Sequence, residues 1–137
     1  MRISFAHLAD YGSITQTGTA NILGIFEVVN AFGMPCIQPR MVLAIGLEVD
    51  ETDEGHRRVV LASLIDPEGR ELRWTQLDIG IEKFDPLQRT HKAMLPFDVV
   101  QFNEFGTHRI RLSIDGQHQQ DIEFQVALQE PGNGQGT

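Results

Sequence analysis

Near the C-terminus, His108, Ile110, Leu112 and Ile114 occupy every second position, and so do Ile122, Phe124, Val126 and Leu128. A period of two is the spacing of a strand with one buried face, and no helix presents such a set to one side. Both sets have even numbers, yet Asp115-Gly116 between them reads as a two-residue hairpin turn. A two-residue turn pairs even positions with odd ones, which would send one apolar set to the wrong face. The parity therefore predicts a loop with an odd number of residues, with Gly116 or its neighbour in a bulge.

The same alternation, or short β-branched runs, fills most of the chain, and no long segment has helical spacing. Ile3, Phe5, Ala9 and Tyr11 define one face of a first strand, with His7 on that apolar side and Arg2, Ser4 and Asp10 opposite. A second strand, 21–29, is apolar on both faces, as a doubly covered strand would be. Residues 32–39, with Pro35 and Pro39, form a crossing loop, because each proline lacks a ladder donor and restrains its predecessor. A third strand covers 41–49 and ends at the acidic turn 50–55. Strands 58–65 and 71–81 meet across Asp66-Pro67-Glu68-Gly69, where proline presets a turn and glycine supplies the left-handed position. In the connection 81–92, Asp85-Pro86 can start a single helical turn over 85–89. A sixth strand lies within 93–102, and Pro96 marks it as an edge or bulged strand.

About eight strands with frequent turns and almost no helix predict a single all-β domain over 1–129, a two-sheet antiparallel sandwich, with a small barrel as the alternative. The apolar-free, glycine-rich residues 130–137 are expected to be a frayed tail.

Composition narrows the functional classes. A formal net charge of −8 and a pI near 5.0 disfavour non-specific nucleic-acid and anionic-membrane binding. Arg57-Arg58 and Arg109/Arg111 are too sparse to change that. The single cysteine, Cys36, cannot form an intrachain bridge, so a reducing compartment, the cytoplasm, is expected. The first residues, Met1 to His7, lack the apolar stretch of a signal peptide, and no apolar run reaches membrane-span length.

The glycine-spaced stretch 12–27 lacks the lysine of a Walker loop and the helix of a dinucleotide fingerprint, so it reads as a connection between strands. Gly18 is expected to take a positive φ, and Gly24, inside a strand, marks a bulge or a close approach. His7, His56, His91, His108 and His118 have no metal-ligand spacing. His7 and His108 read as core or boundary histidines, and His118 as a solvated turn residue. The acidic turn 50–55 lacks the ligand pattern of an EF-hand and reads as a solvated charged turn. Cys36 reads as an inert thiol. Trp74, in an alternating strand, is expected in the core, with Arg73 and Thr75 on the wetter face. No catalytic, cofactor-binding or metal-binding residues are assigned.

Leu8-Ala9-Asp10-Tyr11, the stretch 21–26, the Pro35 loop, the turn 65–69 and the stretch 105–116 together resemble a family of small bacterial proteins of unknown function. The last of these is also similar to the penultimate strand of immunoglobulin-like sandwiches, with His108 where a tyrosine would stand. The resemblance implies an immunoglobulin-like sandwich and implies no activity. Three functional classes follow from the residues. The leading one is a non-enzymatic interaction or assembly module that takes a protein partner or self-associates, the homodimer forming through an open sheet edge or apolar face. The second is a small-ligand or carbohydrate-binding domain using Tyr11 and Trp74. The third is a hydrolase or metal-dependent enzyme, which requires His7, Asp10, His108 and acidic loop residues to converge.

Overall fold

In a computed structural model, residues 1–129 are described, and they form two packed β-sheets. The strands are β1 (Arg2–Ile14), β2 (Ala20–Ile25), β3 (Val28–Ala31), β4 (Cys36–Glu48), β5 (His56–Ile65), β6 (Glu71–Ile81), β7 (Thr90–Phe102), β8 (Gly106–Ile114) and β9 (Gln117–Leu128). One sheet has the order β2-β1-β4-β7 and the other β3-β9-β8-β5-β6. Every pair is antiparallel except β3 with β9, which is parallel. The all-β, two-sheet reading is correct. The expected tail, 130–137, lies outside the described residues.

The core lies between the sheets. Met41, Leu43, Ile45 and Leu47 of β4 meet Val60, Ala62, Leu64, Ile110, Leu112, Phe124 and Val126 of the opposing sheet. Val42 and Ala44, on the other face of β4, are buried too. The distal half of the β1–β2 hairpin covers that side. Gly12 approaches the Met94 sulfur of β7 so closely that a Cβ there would lie 2.6 Å from it. At the hairpin tip, Lys92 Nζ donates to the Gly18 carbonyl at 3.4 Å.

Several expectations are corrected, some of them by a bulge or a change of sheet. The last hairpin has a two-residue turn after all: Asp115 (φ 50°) and Gly116 (φ 81°) take the left-handed pair of a type I′ turn. The parity conflict is resolved farther along, where β9 carries one extra residue, Gln119, between the Ser113–His118 and Leu112–Gln120 pairs. In β1 an extra residue at Ser4 inverts the alternation. Leu8 therefore faces the core, Ala6 packs against it, and His7 is exposed, stacked on Phe5 at 5.8 Å. The expected second strand divides at Phe26-Glu27: β2 is an exposed edge of one sheet and β3 an edge of the other. Residues 36–39 extend β4 instead of continuing the loop. Residues 85–88 form a β-turn, with Gln88 N–H donating to Asp85 O and Leu87 N–H to the Asp85 side chain, and no helical turn forms. Leu77, Ile79 and Ile81 point inward, and Thr75 shares their odd parity, so Trp74 stands on the outer face at 60% exposure. The Asp66–Gly69 turn forms as expected, and β7 is an edge strand with Pro96 on it.

Candidate functional site

The two sheets differ at their two flanks. On one, β6 and β7 lie against each other, and an Arg73 guanidinium N–H donates across the gap to the Asp98 carbonyl. On the other, β2 and β3 are the outermost strands, and among the described residues their outward backbone edges have no strand partner. That flank carries exposed apolar side chains: Leu23 (62%), Ile25 (57%), Val28 (45%) and Phe32 (69%). Between Asp10 and Arg40 the only charged residue is Glu27. Exposed edges normally carry lysine, proline or inward-pointing charge, because a row of free N–H and C=O groups recruits further strands. β2 carries none of these. The neutral run was readable in the sequence, but its place on a flank becomes visible only once the chain is seen to change sheets at Phe26.

The glycines of the hairpin are structural devices. Gly18 (φ 84°) closes the tip, where Thr15 N–H donates to the Thr19 carbonyl and Thr19 N–H to the Thr15 hydroxyl oxygen. Gly24 (φ 73°) lies opposite Asp10, whose carboxylate fills the space a Cβ would need. The close approach at Gly24 thus comes from a side chain of the neighbouring strand. Between the hairpin tip and the β6–β7 connection lies a cavity of about 720 Å³, whose ionisable lining residues are Arg89, His91 and Lys92, without a carboxylate.

The acidic turn is organised around a buried group, which corrects its reading as merely solvated. Asp53 carboxylate oxygens accept from the Met1 ammonium at 3.0 Å, from Asp50 N–H at 2.9 Å and from Arg58 Nε at 3.0 Å. Burial alone pushes this carboxyl up, but those hydrogen bonds outweigh it and hold it below the ordinary 3.8. Asp66 is held low in the same way: against burial, it accepts from Arg70 N–H, Arg70 Nε and Glu68 N–H. On the outer face of the larger sheet, Asp121 binds His118 at 2.9 Å and Arg111 at 3.4 Å, while Arg109 reaches Glu123 at 3.6 Å. His118 therefore has a carboxylate within hydrogen-bonding distance.

The five residues singled out from the sequence do not converge. His7 pairs with Ala44, the strand partner of Met94, whereas the His108 ring lies 5.0 Å from Phe102. Met94 and Phe102 are eight strand residues apart, roughly 26 Å at the rise of a strand. Tyr11 and Asp10 belong to the hairpin of one sheet and Trp74 to the outer face of the other. No group of three or more metal-ligating side chains occurs among the described residues. Cys36 is half-buried and packs against the core. His108 is fully buried, as expected, with Nδ1 3.1 Å from the Gly106 carbonyl. It lines a second cavity, of about 310 Å³, at that end of the sandwich. No helix among the described residues is long and apolar enough to cross a membrane.

A family profile described as "Family of unknown function (DUF6941)" matches residues 4–127. No curated protein matches the chain. A solved structure of Pseudomonas fluorescens alkylpurine DNA glycosylase AlkC, bound to DNA containing an abasic site analog, is similar with a TM-score of 0.45 and 12% identity. The similarity covers 88% of this chain and 30% of the glycosylase chain, so the chain spans less than a third of that protein's length.

Proposed function

The chain belongs to that family of unknown function, which supplies no activity to carry over, and we propose that it is a non-enzymatic assembly module that pairs with a second copy of itself through the β2–β3 flank. The observation that carries this reading is the unprotected edge of β2, free of charge and proline and bearing Leu23 and Ile25 outward. Charge favours the second copy as occupant. Two chains of net charge −8 repel over most of their surfaces, and the neutral run from Tyr11 to Phe26 is where that repulsion is smallest. Antiparallel pairing of β2 with its symmetry mate sets the same residues against each other, as a twofold interface requires. The immunoglobulin-like form of the sandwich belongs to this proposal, supported by the order β3-β9-β8-β5-β6 with the outermost strand parallel to the last. A reducing location, the cytoplasm, also belongs to it, supported by the single unpaired Cys36.

Hydrogen exchange at two protein concentrations tests the interface. Amides of 20–25 gain protection as concentration rises, while those of β6 do not change; equal behaviour of the two strands contradicts the reading. A second reading, a carbohydrate-binding face, is favoured by Trp74 standing exposed across from Ser63, which itself pairs with Arg111. Saturable quenching of Trp74 fluorescence by oligosaccharides supports it, and no quenching across a panel of them removes it.

A further inference from the structure

The chain carries 19 acidic residues against 11 Lys and Arg, yet the wall of the 720 Å³ cavity holds Arg89 and Lys92 and no carboxylate. Among the described residues neither cation forms an ion pair. Both are held by backbone carbonyls instead. Lys92 Nζ donates to Gly18 O at 3.4 Å and Arg89 Nε to Pro86 O at 3.3 Å, and Gly18 and Pro86 line the same cavity. Each head group therefore stands at the cavity wall, in reach of solvent, because both side chains belong to exposed residues. The Phe84 ring, centred 5.5 Å from the Arg89 guanidinium carbon, supports that group from a further side.

A carbonyl orients a cation without cancelling its charge, so the two positive charges are positioned and uncompensated. Carboxylates close by are committed elsewhere. Asp85 accepts from Leu87 N–H at 2.9 Å. Glu48 and Asp50 share a smaller depression with Arg89, but Glu48 binds Arg2 at 2.6 Å and Asp50 accepts from Thr52 N–H at 2.9 Å. With Nε engaged, the two terminal nitrogens of Arg89 remain for a forked contact, the arrangement that suits phosphate oxygens. The rest of the wall says what the anion carries. Leu87 (92%) and Ile14 (40%) expose apolar surface there, against which an apolar body gains by burial. The volume lies within the range of small-molecule pockets, about 300 to 1,000 Å³, and a bare inorganic anion leaves most of it empty.

We propose that this cavity binds a small organic phosphomonoester, its phosphate held by the Arg89 guanidinium and the Lys92 ammonium and its apolar part against Leu87 and Ile14. A phosphomonoester carries about −1.5 to −2 charges near neutral pH, which matches two cations. A ligand cation is repelled by both. A neutral molecule of the same shape leaves both charges uncompensated. The site uses no residue of β2 or β3, so it stands or falls apart from self-association.

The test is a titration near neutral pH, followed in NMR spectra by the Gly18 amide and the Lys92 side chain, with phenyl phosphate, inorganic phosphate and phenol as probes. Phenyl phosphate gives saturable shifts at both residues, and phenol binds at least about tenfold more weakly, a difference of about 1.4 kcal/mol. Inorganic phosphate binds at the same residues but about fivefold more weakly or less, for want of the apolar part. Arg89→Gln and Lys92→Gln, both at exposed positions, keep the fold and each weaken phenyl phosphate about fivefold or more. Arg40→Gln removes an exposed cation paired across the sheet with Asp98, six strand positions from Lys92. It changes the affinity by less than about twofold at physiological ionic strength, where a charge that distant is screened. The proposal is overturned if phenyl phosphate gives no saturable shift, if phenol or inorganic phosphate binds as tightly, or if Arg40→Gln weakens binding as much as Arg89→Gln and Lys92→Gln do.

Discussion

The two flanks of this sandwich solve the same problem in opposite ways. Where β6 meets β7 the exposed edges carry Glu71, Arg73, Asp78, Lys92, Pro96 and Asp98, and Arg73 bridges to the Asp98 carbonyl. Where β2 and β3 end the sheets, neither strand carries a charge or a proline. A charge on an edge strand must be desolvated before another strand can dock, and proline removes a donor. The β6–β7 flank is thus closed to further pairing by its own chemistry. The β2–β3 flank lacks that chemistry, and the proposed assembly rests on this difference.

Both flanks hang on one core, so the largest effect is expected there. Phe124→Ala, at a buried position, lowers unfolding free energy by about 3–5 kcal/mol, read from the denaturant midpoint, whereas Leu23→Ala changes it by less than about 0.5 kcal/mol. A comparable loss at Leu23 would mean that β2 is part of the folding core and would erase the contrast. Next is the anchor near the closed flank, where the Gly55 N–H bonds the Ile81 carbonyl of β6. Asp53→Asn costs roughly 1–3 kcal/mol at neutral pH, because the Met1 ammonium and Arg58 lose their shared acceptor. It also changes the acid response. Asp53 is lowered in the folded state, so its contribution is fully present above its ordinary 3.8 and is lost as pH falls through the lower folded value. The variant shows a flatter decline of stability with acid below about pH 4. Arg73→Ala, third in size, loses about 1 kcal/mol and speeds amide exchange in β6 and β7 while leaving β2 untouched. If β6 then begins to self-associate, charge and bridging are what kept that flank closed.

The fold class was legible because alternation is a local property, repeated from strand to strand. The Asp66–Gly69 hairpin was legible because its turn residues, Asp66 as side-chain acceptor and Gly69 at φ 86°, act within five positions. Parity near Asp115 correctly demanded an extra residue. It placed that residue wrongly, in the loop at Gly116 or its neighbour, since a bulge needs no special side chain and Gln119 has none. The same kind of one-residue insertion at Ser4 turned His7 outward. Trp74 was misplaced because its own size argued for burial, while the inward set Leu77, Ile79 and Ile81 outweighed it. The candidate surfaces were less legible still. An open flank depends on which strands end the sheets, and the cavity of Arg89 and Lys92 depends on a hairpin tip brought to Lys92 from 74 residues away.

Sedimentation equilibrium of the wild-type chain beside Leu23→Lys/Ile25→Lys tests the central claim most directly, since the two lysines put on β2 the charge that β6 and β7 already carry. The account predicts a mass that rises with concentration toward twice 15.4 kDa for the wild type and stays at one chain for the variant, whose unfolding midpoint is nearly unchanged. A wild type that remains a single chain at high concentration, or a variant that associates as well as the wild type, contradicts it.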